Sequence, residues 1–320
     1  MRVAVIIVNF RTADLVYDCL QSLHIEKEAL SLQVVVVDND SQDGSVERLS
    51  TIIEEHGWQQ WVVVLPQEHN RGFAGGNNLA LRYILSIGWP VDYFWLLNPD
   101  TVIRDGAGQH LVQFLGNNPG AGIVGSRLED PDSTPQVSAF RYHSIVGEFL
   151  SGMRLGYLSK MLHKWVVAQR PVAEKPHVTD WLAGASMMVR KEVFEQVGFF
   201  DDHYFLYFEE EDFCKQAADA GWQSWYVPAS RVVHLVGMAS GFSDHRKKAP
   251  RRPTYWFESR RRFFLKNYGK IPLFCADVAW MVGFCIWRMR RLLQGKPDTD
   301  PPFFLQDFFS HSVFCKGFRL

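Results

Sequence analysis

Short, unbroken apolar runs separated by stretches of helical period open the chain. Residues 3–8, 34–37, 62–65 and 93–97 are continuous apolar runs bounded by polar turns, the pattern of strands buried on both faces. Between the first two, Leu15, Val16, Cys19, Leu20 and Leu23 recur at the spacing of one helix face, and Thr12 stands where an N-cap is expected. Residues 45–56 and 76–87 carry the same period. Strands alternating with helices predict βαβ units and an α/β fold with a doubly wound, mostly parallel sheet. From about residue 130 to 176 the periodicity weakens to a loop-rich connection with some helix.

Such sheets bind ligands beyond the carboxyl ends of their strands, so the segments after each run are the places to look for chemistry. These are Asn9-Phe10-Arg11, Asp38-Asn39-Asp40, Asn70-Arg71-Gly72-Phe73 and Asn98-Pro99-Asp100. Pro99 interrupts the ladder, so the Asp100 carboxylate is expected to project from the strand end. A hard divalent ion bridging two phosphates needs one or two such carboxylates. Alone, Asn98-Pro99-Asp100 reads as a turn; at a strand end of this fold it reads as a metal site.

Further along, Glu209, Glu210, Glu211 and Asp212 follow the aromatic run 205–208 and precede the helical pattern 213–220. Acids at a helix start complement its dipole, which accounts for two of them. Four adjacent carboxylates repel one another and push at least one pKa up toward that of a base. His234 follows a further apolar stretch, 225–233, ahead of Gly237, Ser240 and Gly241. A histidine there is either structural or a ligand, and the glycines let the backbone approach a bound group.

Composition narrows the class. The 320 residues, 47% hydrophobic and 22% charged, bury one large core or two modest ones, and disorder over the whole length is excluded. A net charge of −1 does not point to nucleic acid, yet residues 1–245 hold 18 Lys and Arg against 30 Asp and Glu, while residues 246–296 hold 14 against 2. Five widely spaced cysteines with no C-x-x-C suggest neither a disulfide framework nor zinc, and fit a reducing cytoplasm. Residues 3–8 reach polar Asn9 too soon for a signal-peptide core. The apolar segment 271–287 contains Asp277 and follows Lys266 and Lys270. It is expected to lie on a membrane surface rather than cross, with a plain core helix as the alternative. Asn9-Phe10-Arg11-Thr12 lacks glycine, which argues against nucleotidyltransferases and dinucleotide-dependent dehydrogenases.

Taken in order, 5–10, Asp38 to Ser45, Asn70 to Asn78, 96–100, Gly184-Ala185, 208–212 and His234 resemble glycosyltransferase family 2, nearest its rhamnosyltransferase-like branch, over about residues 1–241. The resemblance implies a GT-A domain over 1–243, with a nucleotide-sugar-binding half to about 130 and an acceptor half with the catalytic segment over about 131–243. Residues 244–320 would be a basic, aromatic-rich extension, helical and membrane-associating. By the same resemblance Asp38 meets the base, Asn9 lines the nucleotide pocket, and Asn70, Arg71, Asn77 and Asn98 belong to the donor site. Asp100 and His234 would hold Mg²⁺ or Mn²⁺, Glu210 would be the catalytic base with Glu209 and Asp212 as alternates, and Trp181 and Gly184 would meet the acceptor. Three departures are visible: Asn98 leaves one carboxylate where the family has two, Glu210 stands where relatives often carry aspartate, one methylene shorter, and Asn77 stands where relatives carry arginine, which turns attention to Arg71. The implied reaction is an inverting transfer from a nucleotide diphosphate sugar, dTDP-rhamnose first and a UDP sugar second, to a saccharide or lipid-linked saccharide. It would serve cell-surface polysaccharide synthesis on the cytoplasmic face of the cell membrane, without nucleic acid. An inactive carbohydrate-binding relative is the non-enzyme alternative.

Overall fold

The four apolar runs become four parallel strands. The computed structural model describes residues 1–235 and 249–319, so Gly237, Ser240, Gly241 and the basic run Arg246-Lys247-Lys248 lie outside the described residues. Among the described residues a nine-stranded sheet runs in the order Val62–Pro66, Leu32–Asp38, Val3–Asn9, Tyr93–Leu97, Ser186–Arg190, Ala121–Glu129, Gln223–His234 and Thr101–Ile103, with His177–Thr179 also paired to Gln223–His234. The first four strands are mutually parallel. Beyond them the sheet is mixed, because Ser186–Arg190 enters antiparallel between Tyr93–Leu97 and Ala121–Glu129.

Apolar side chains alternate to two cores, one on each face. Val3, Val5 and Ile7 point to one side with Trp95 and Leu97, and Ala4 and Ile6 point to the other with Phe94 and Leu96. Two local expectations need correction. Thr12 stands at the start of the helix Ala13–His24 but makes no side-chain cap; its hydroxyl donates to Asn9 Oδ1 at 2.8 Å. The helix expected over 76–87 spans Gly72–Ser86, its glycines being sites of close packing. A Cβ on Gly76 would sit 2.8 Å from Val8. Gly72 has φ +69°, and a Cβ there would meet the Phe205 carbonyl oxygen.

The chain divides into two units: 1–140 with 170–205 and 209–243, and 141–169 with 206–208 and 244–320. The second is helical. Lys270–Leu293 crosses Ile145–Met153 at two glycines, where Cβ atoms on Gly152 and Gly283 would come within 2.5 Å of the Trp280 and Phe149 carbonyls. Phe257, Trp280, Phe284, Phe304 and Phe308 fill its core, with Trp280 stacked on Phe308 at 3.8 Å. Asp277, the carboxylate in the apolar segment, is buried against Arg260 at 2.6 Å and accepts the Val313 N–H at 2.9 Å. Arg260 also donates to buried Glu148 at 2.9 Å, so this charge is compensated inside the unit.

Candidate functional site

The residues singled out by sequence gather at the carboxyl ends of the parallel strands. Asn9, last residue of Val3–Asn9, donates through Nδ2 to Asp38 Oδ2 at 2.7 Å, and Asp38 ends the neighbouring strand. Ser41 completes the knot: its hydroxyl donates to Asp38 at 2.6 Å, and its backbone N–H reaches the other carboxylate oxygen at 3.1 Å. The Arg11 side chain in turn donates to the Ser41 carbonyl at 2.9 Å. Arg11, Asp40 and Gln42 hold φ of 61°, 63° and 53°, left-handed conformations that non-glycine residues adopt at a cost and that concentrate at ligand sites. Beside them opens a pocket of about 440 Å³ lined by Asp38, Asp40, Ser41, Pro66 and Gln67.

Asn39 fastens the next loop to this one. Its amide donates to Asn70 Oδ1 at 2.9 Å and to the Gly72 carbonyl at 3.0 Å, and its oxygen accepts the Arg71 N–H at 3.0 Å. Asn70 and Arg71 therefore lie against the Asp38 loop. Asn77 does not join them: it is buried in Gly72–Ser86 and its amide donates to the Phe73 carbonyl of its own helix at 2.9 Å. Trp181 is stacked on Phe140, with ring centroids 4.2 Å apart.

Asp100 and His234, distant in sequence, meet. The strand Thr101–Ile103 pairs with the end of Gln223–His234 so that Thr101 faces His234, and the Leu235 N–H donates to the Asp100 carbonyl at 3.0 Å. This brings His234 Nε2 to 3.5 Å from Asp100 Oδ1. Asp100 is 2% exposed, and His234 Nδ1 is buried with no hydrogen-bond partner among the described residues. Donors that share a cation at about 2.0–2.2 Å lie about 3–3.5 Å from each other, so this oxygen and nitrogen fit a divalent ion.

The acid run forms the first turn of the helix Glu209–Asp219, rather than a segment ahead of it. Its members separate by environment. Asp212 is fully buried and accepts from Tyr204 at 3.2 Å and Gln216 at 2.7 Å. Glu209 and Glu211 are buried as well, and only Glu210 keeps partial exposure. Burial pushes the Glu210 carboxyl above its ordinary value and nearby Glu211 adds to the rise, while the Gly184 N–H, donating to Oε1 at 3.1 Å, works against it. Gly184 is glycine for a reason of space, since a Cβ there would fall 2.8 Å from both Glu210 Oε1 and Phe73. Its neighbour Ala185 accepts the Asn98 N–H at 3.1 Å, so the Gly184–Glu210 contact and the Asn98-Pro99-Asp100 turn sit on adjoining strand ends.

Sequence reasoning gave Ser41 and Asn39 no role of their own and missed a charge cluster around Glu129. That carboxylate, wholly buried at the end of Ala121–Glu129, accepts from Arg104 at 3.0 Å and Arg231 at 2.9 Å, with Arg127 at 3.6 Å. Arg127 lies two residues back on the same strand, but Arg104 and Arg231 come from elements far away in sequence, and no local pattern brings them in.

The family model of Glycosyl transferase family 2 matches residues 4–198, more than half of the chain, and the chain belongs to that family. It is 27% identical over 230 residues to an N-acetylglucosaminyl-diphospho-decaprenol L-rhamnosyltransferase of Mycobacterium tuberculosis, covering 69% of this chain and 72% of that one. To the dTDP-rhamnosyl transferase RfbF of Shigella flexneri it is 26% identical over 258 residues, 79% and 77% of the two chains. Among solved structures it is similar to the mannosyltransferase PcManGT from Pyrobaculum calidifontis in complex with GDP-Man and Mn²⁺, with TM-score 0.54, 15% identity, and coverage of 98% of this chain and 87% of that one. GalNAc-T7 with UDP, GalNAc and Mn²⁺ gives TM-score 0.57 at 15% identity over 97% of this chain and 54% of that one. The fold is GT-A, and the protein is a glycosyltransferase with rhamnosyltransferase relatives.

The Gly184 contact gives a first prediction. Gly184→Ala should displace Glu210 and Phe73, lowering kcat at least about 10-fold while leaving donor affinity unchanged, as expected when a catalytic group is moved and donor binding is not. Steady-state kinetics with donor calorimetry checks it; unchanged kcat would show that Glu210 does not need this position.

Proposed function

We propose that the protein is an inverting, metal-dependent transferase that moves a hexose from a nucleotide diphosphate sugar to a saccharide acceptor, with L-rhamnose from dTDP-rhamnose as the first donor to test. The observation that carries the reading is the Asp100–His234 meeting at 3.5 Å, next to the strand end where Gly184 holds a partly exposed Glu210 of raised pKa. The rhamnosyltransferase relatives supply the choice of sugar.

In this reading the nucleotide base enters the pocket beside Asp38, with Asn9 and Ser41 fixing that carboxylate. The Asn70 and Arg71 loop and Asn98 line the diphosphate. Asp100 and His234 hold Mg²⁺ or Mn²⁺, which when bound would stabilise charge on the leaving diphosphate by several kcal/mol. Glu210 takes the proton from the acceptor hydroxyl as its oxygen attacks the anomeric carbon from the side opposite the diphosphate. A single displacement inverts that carbon. The raised pKa strengthens Glu210 as a base, help typically worth about 10²–10⁴ in rate. Gly184 and Trp181 belong to the acceptor side. The acceptor is a lipid-linked saccharide, of the kind the mycobacterial N-acetylglucosaminyl-diphospho-decaprenol L-rhamnosyltransferase is named for, and the enzyme works at the cytoplasmic face of a membrane.

A thermal-shift series of nucleotide diphosphate sugars with and without Mg²⁺ or Mn²⁺ tests the donor. A ligand at 100 times its dissociation constant adds about 2.7 kcal/mol of stability, a clear rise in Tm. The reading expects dTDP-rhamnose with metal to shift most; a larger shift by a UDP sugar would replace the donor, and no metal effect would remove the cation.

A further inference from the structure

The helix Lys270–Leu293 is built with its polarity reversed. Asp277 and Arg291 are buried, Arg288 and Arg290 are half-buried, the first paired to Asp298 and Asp300, the second donating to the Arg154 carbonyl, and beyond Lys270 every exposed residue is apolar. Ile271 (77% exposed), Phe274, Val282, Met289 and Leu292 (72%) follow one another at helical steps, with half-buried Val278 filling the gap. At 1.5 Å per residue this stripe is about 33 Å long. A soluble helix turns its charges outward, and an exposed apolar patch of this extent marks an interaction surface. The stripe continues sideways: Phe314 lies 5.6 Å from Phe274 and 5.9 Å from Phe309, ring to ring, and Phe309 and Phe314 are each 48% exposed.

Charge selects the occupant. The residues of this helical unit include 20 Lys and Arg against 7 Asp and Glu, a net +13, while the other unit nets −14. Two copies meeting through the stripe would bring like charges together, whereas anionic lipid headgroups contribute about 1 kcal/mol per nearby Lys or Arg. Crossing a bilayer is opposed by the helix's other face, locked through Gly283 against Ile145–Met153 and through Asp277 to Arg260. We infer that this stripe, with Phe309 and Phe314, lies flat in an anionic lipid surface, the helix axis parallel to the membrane and its apolar side chains among the acyl chains. The inference rests on the membrane part of the proposed function and assigns it a surface.

The chain carries its own probes. Cys285 lies in the stripe and Cys315 next to Phe314, both exposed, while Cys19 and Cys214 are buried. Full-length protein should sediment with phosphatidylglycerol vesicles and much less with phosphatidylcholine alone. On the anionic vesicles a charged maleimide should modify Cys285 and Cys315 at least about tenfold more slowly, read peptide by peptide by mass spectrometry. Val282→Glu with Met289→Glu should weaken vesicle binding at least about tenfold without changing Tm or transfer to a water-soluble acceptor. Sedimentation with unchanged Cys285 modification would place the membrane contact elsewhere and overturn the inference, as would no sedimentation at all. Protection that grows with protein concentration in the absence of lipid would show a second copy on this face instead. Transfer to the soluble acceptor, measured in the same preparations, separates failure of this surface from failure of the transferase reading.

Discussion

Glu210→Gln is expected to lose transfer by about 10²-fold or more while binding the donor as tightly as the parent protein and unfolding at a higher temperature. The amide fills the same space and can still accept the Gly184 N–H, so the local packing survives. What it cannot do is take a proton. The stability gain follows from the raised pKa. Burial holds the folded carboxyl above its ordinary 4.5, so the folded state binds this proton more tightly than the unfolded chain does. That contribution is fully present below the unfolded pKa and is lost as pH rises through the folded one. Above it the protein carries a charged, desolvated carboxylate at a cost that glutamine avoids, so the Tm difference should widen as pH rises through the folded pKa and narrow as pH falls below the ordinary one. In the parent, kcat/KM should rise with pH through the same raised pKa, because the base must be ionised. Normal transfer by Glu210→Gln beside an inactive Glu209→Gln or Asp212→Asn would move the base to that neighbour. Asp212, held by Tyr204 and Gln216, is expected to lose stability when changed.

Asp100→Ala and His234→Ala should each abolish the metal dependence of donor binding and lower kcat/KM by about 10²-fold. Asp100 is the carboxylate of this pair, and a hard divalent ion has little affinity for a site without one. Removing His234 leaves the carboxylate but takes away the nitrogen 3.5 Å from it. Calorimetry of donor binding across a Mn²⁺ series checks both. Unchanged donor affinity and metal response in the two variants would mean that a cation, if used, sits elsewhere.

The nucleotide half was legible in sequence because strands buried on both faces leave unbroken apolar runs, and all four runs became strands within one or two residues at either end. Strand Ser186–Arg190 was not, since its partners, Tyr93–Leu97 and Ala121–Glu129, lie far away in sequence and nothing local announces an antiparallel insertion. Asp38 and Asp100 were singled out by their strand-end places, and the roles of Asp38, Glu210 and His234 came from motif order. The supports around them were hidden: Ser41 and Asn39 look like ordinary turn residues until the fold aims them at Asp38 and Asn70. Glycine misled in one place, where the helix was expected to begin only at Gly76 and in fact begins at Gly72, with Gly76 pressed against Val8. In the second unit the aromatic and basic composition was visible, but which face of Lys270–Leu293 stays outside depends on Gly152, Gly283 and Arg260, and only the packing shows it.

The central claim is a single displacement assisted by Glu210, and the anomeric configuration of the product tests it most directly. Transfer from dTDP-rhamnose to a soluble saccharide acceptor, followed by proton NMR at the new anomeric centre, should show the configuration opposite to that of the donor, with Glu210→Gln forming almost none of it. A product of the donor's own configuration would require two displacements or a different geometry of attack, and would contradict the mechanism assigned to this site.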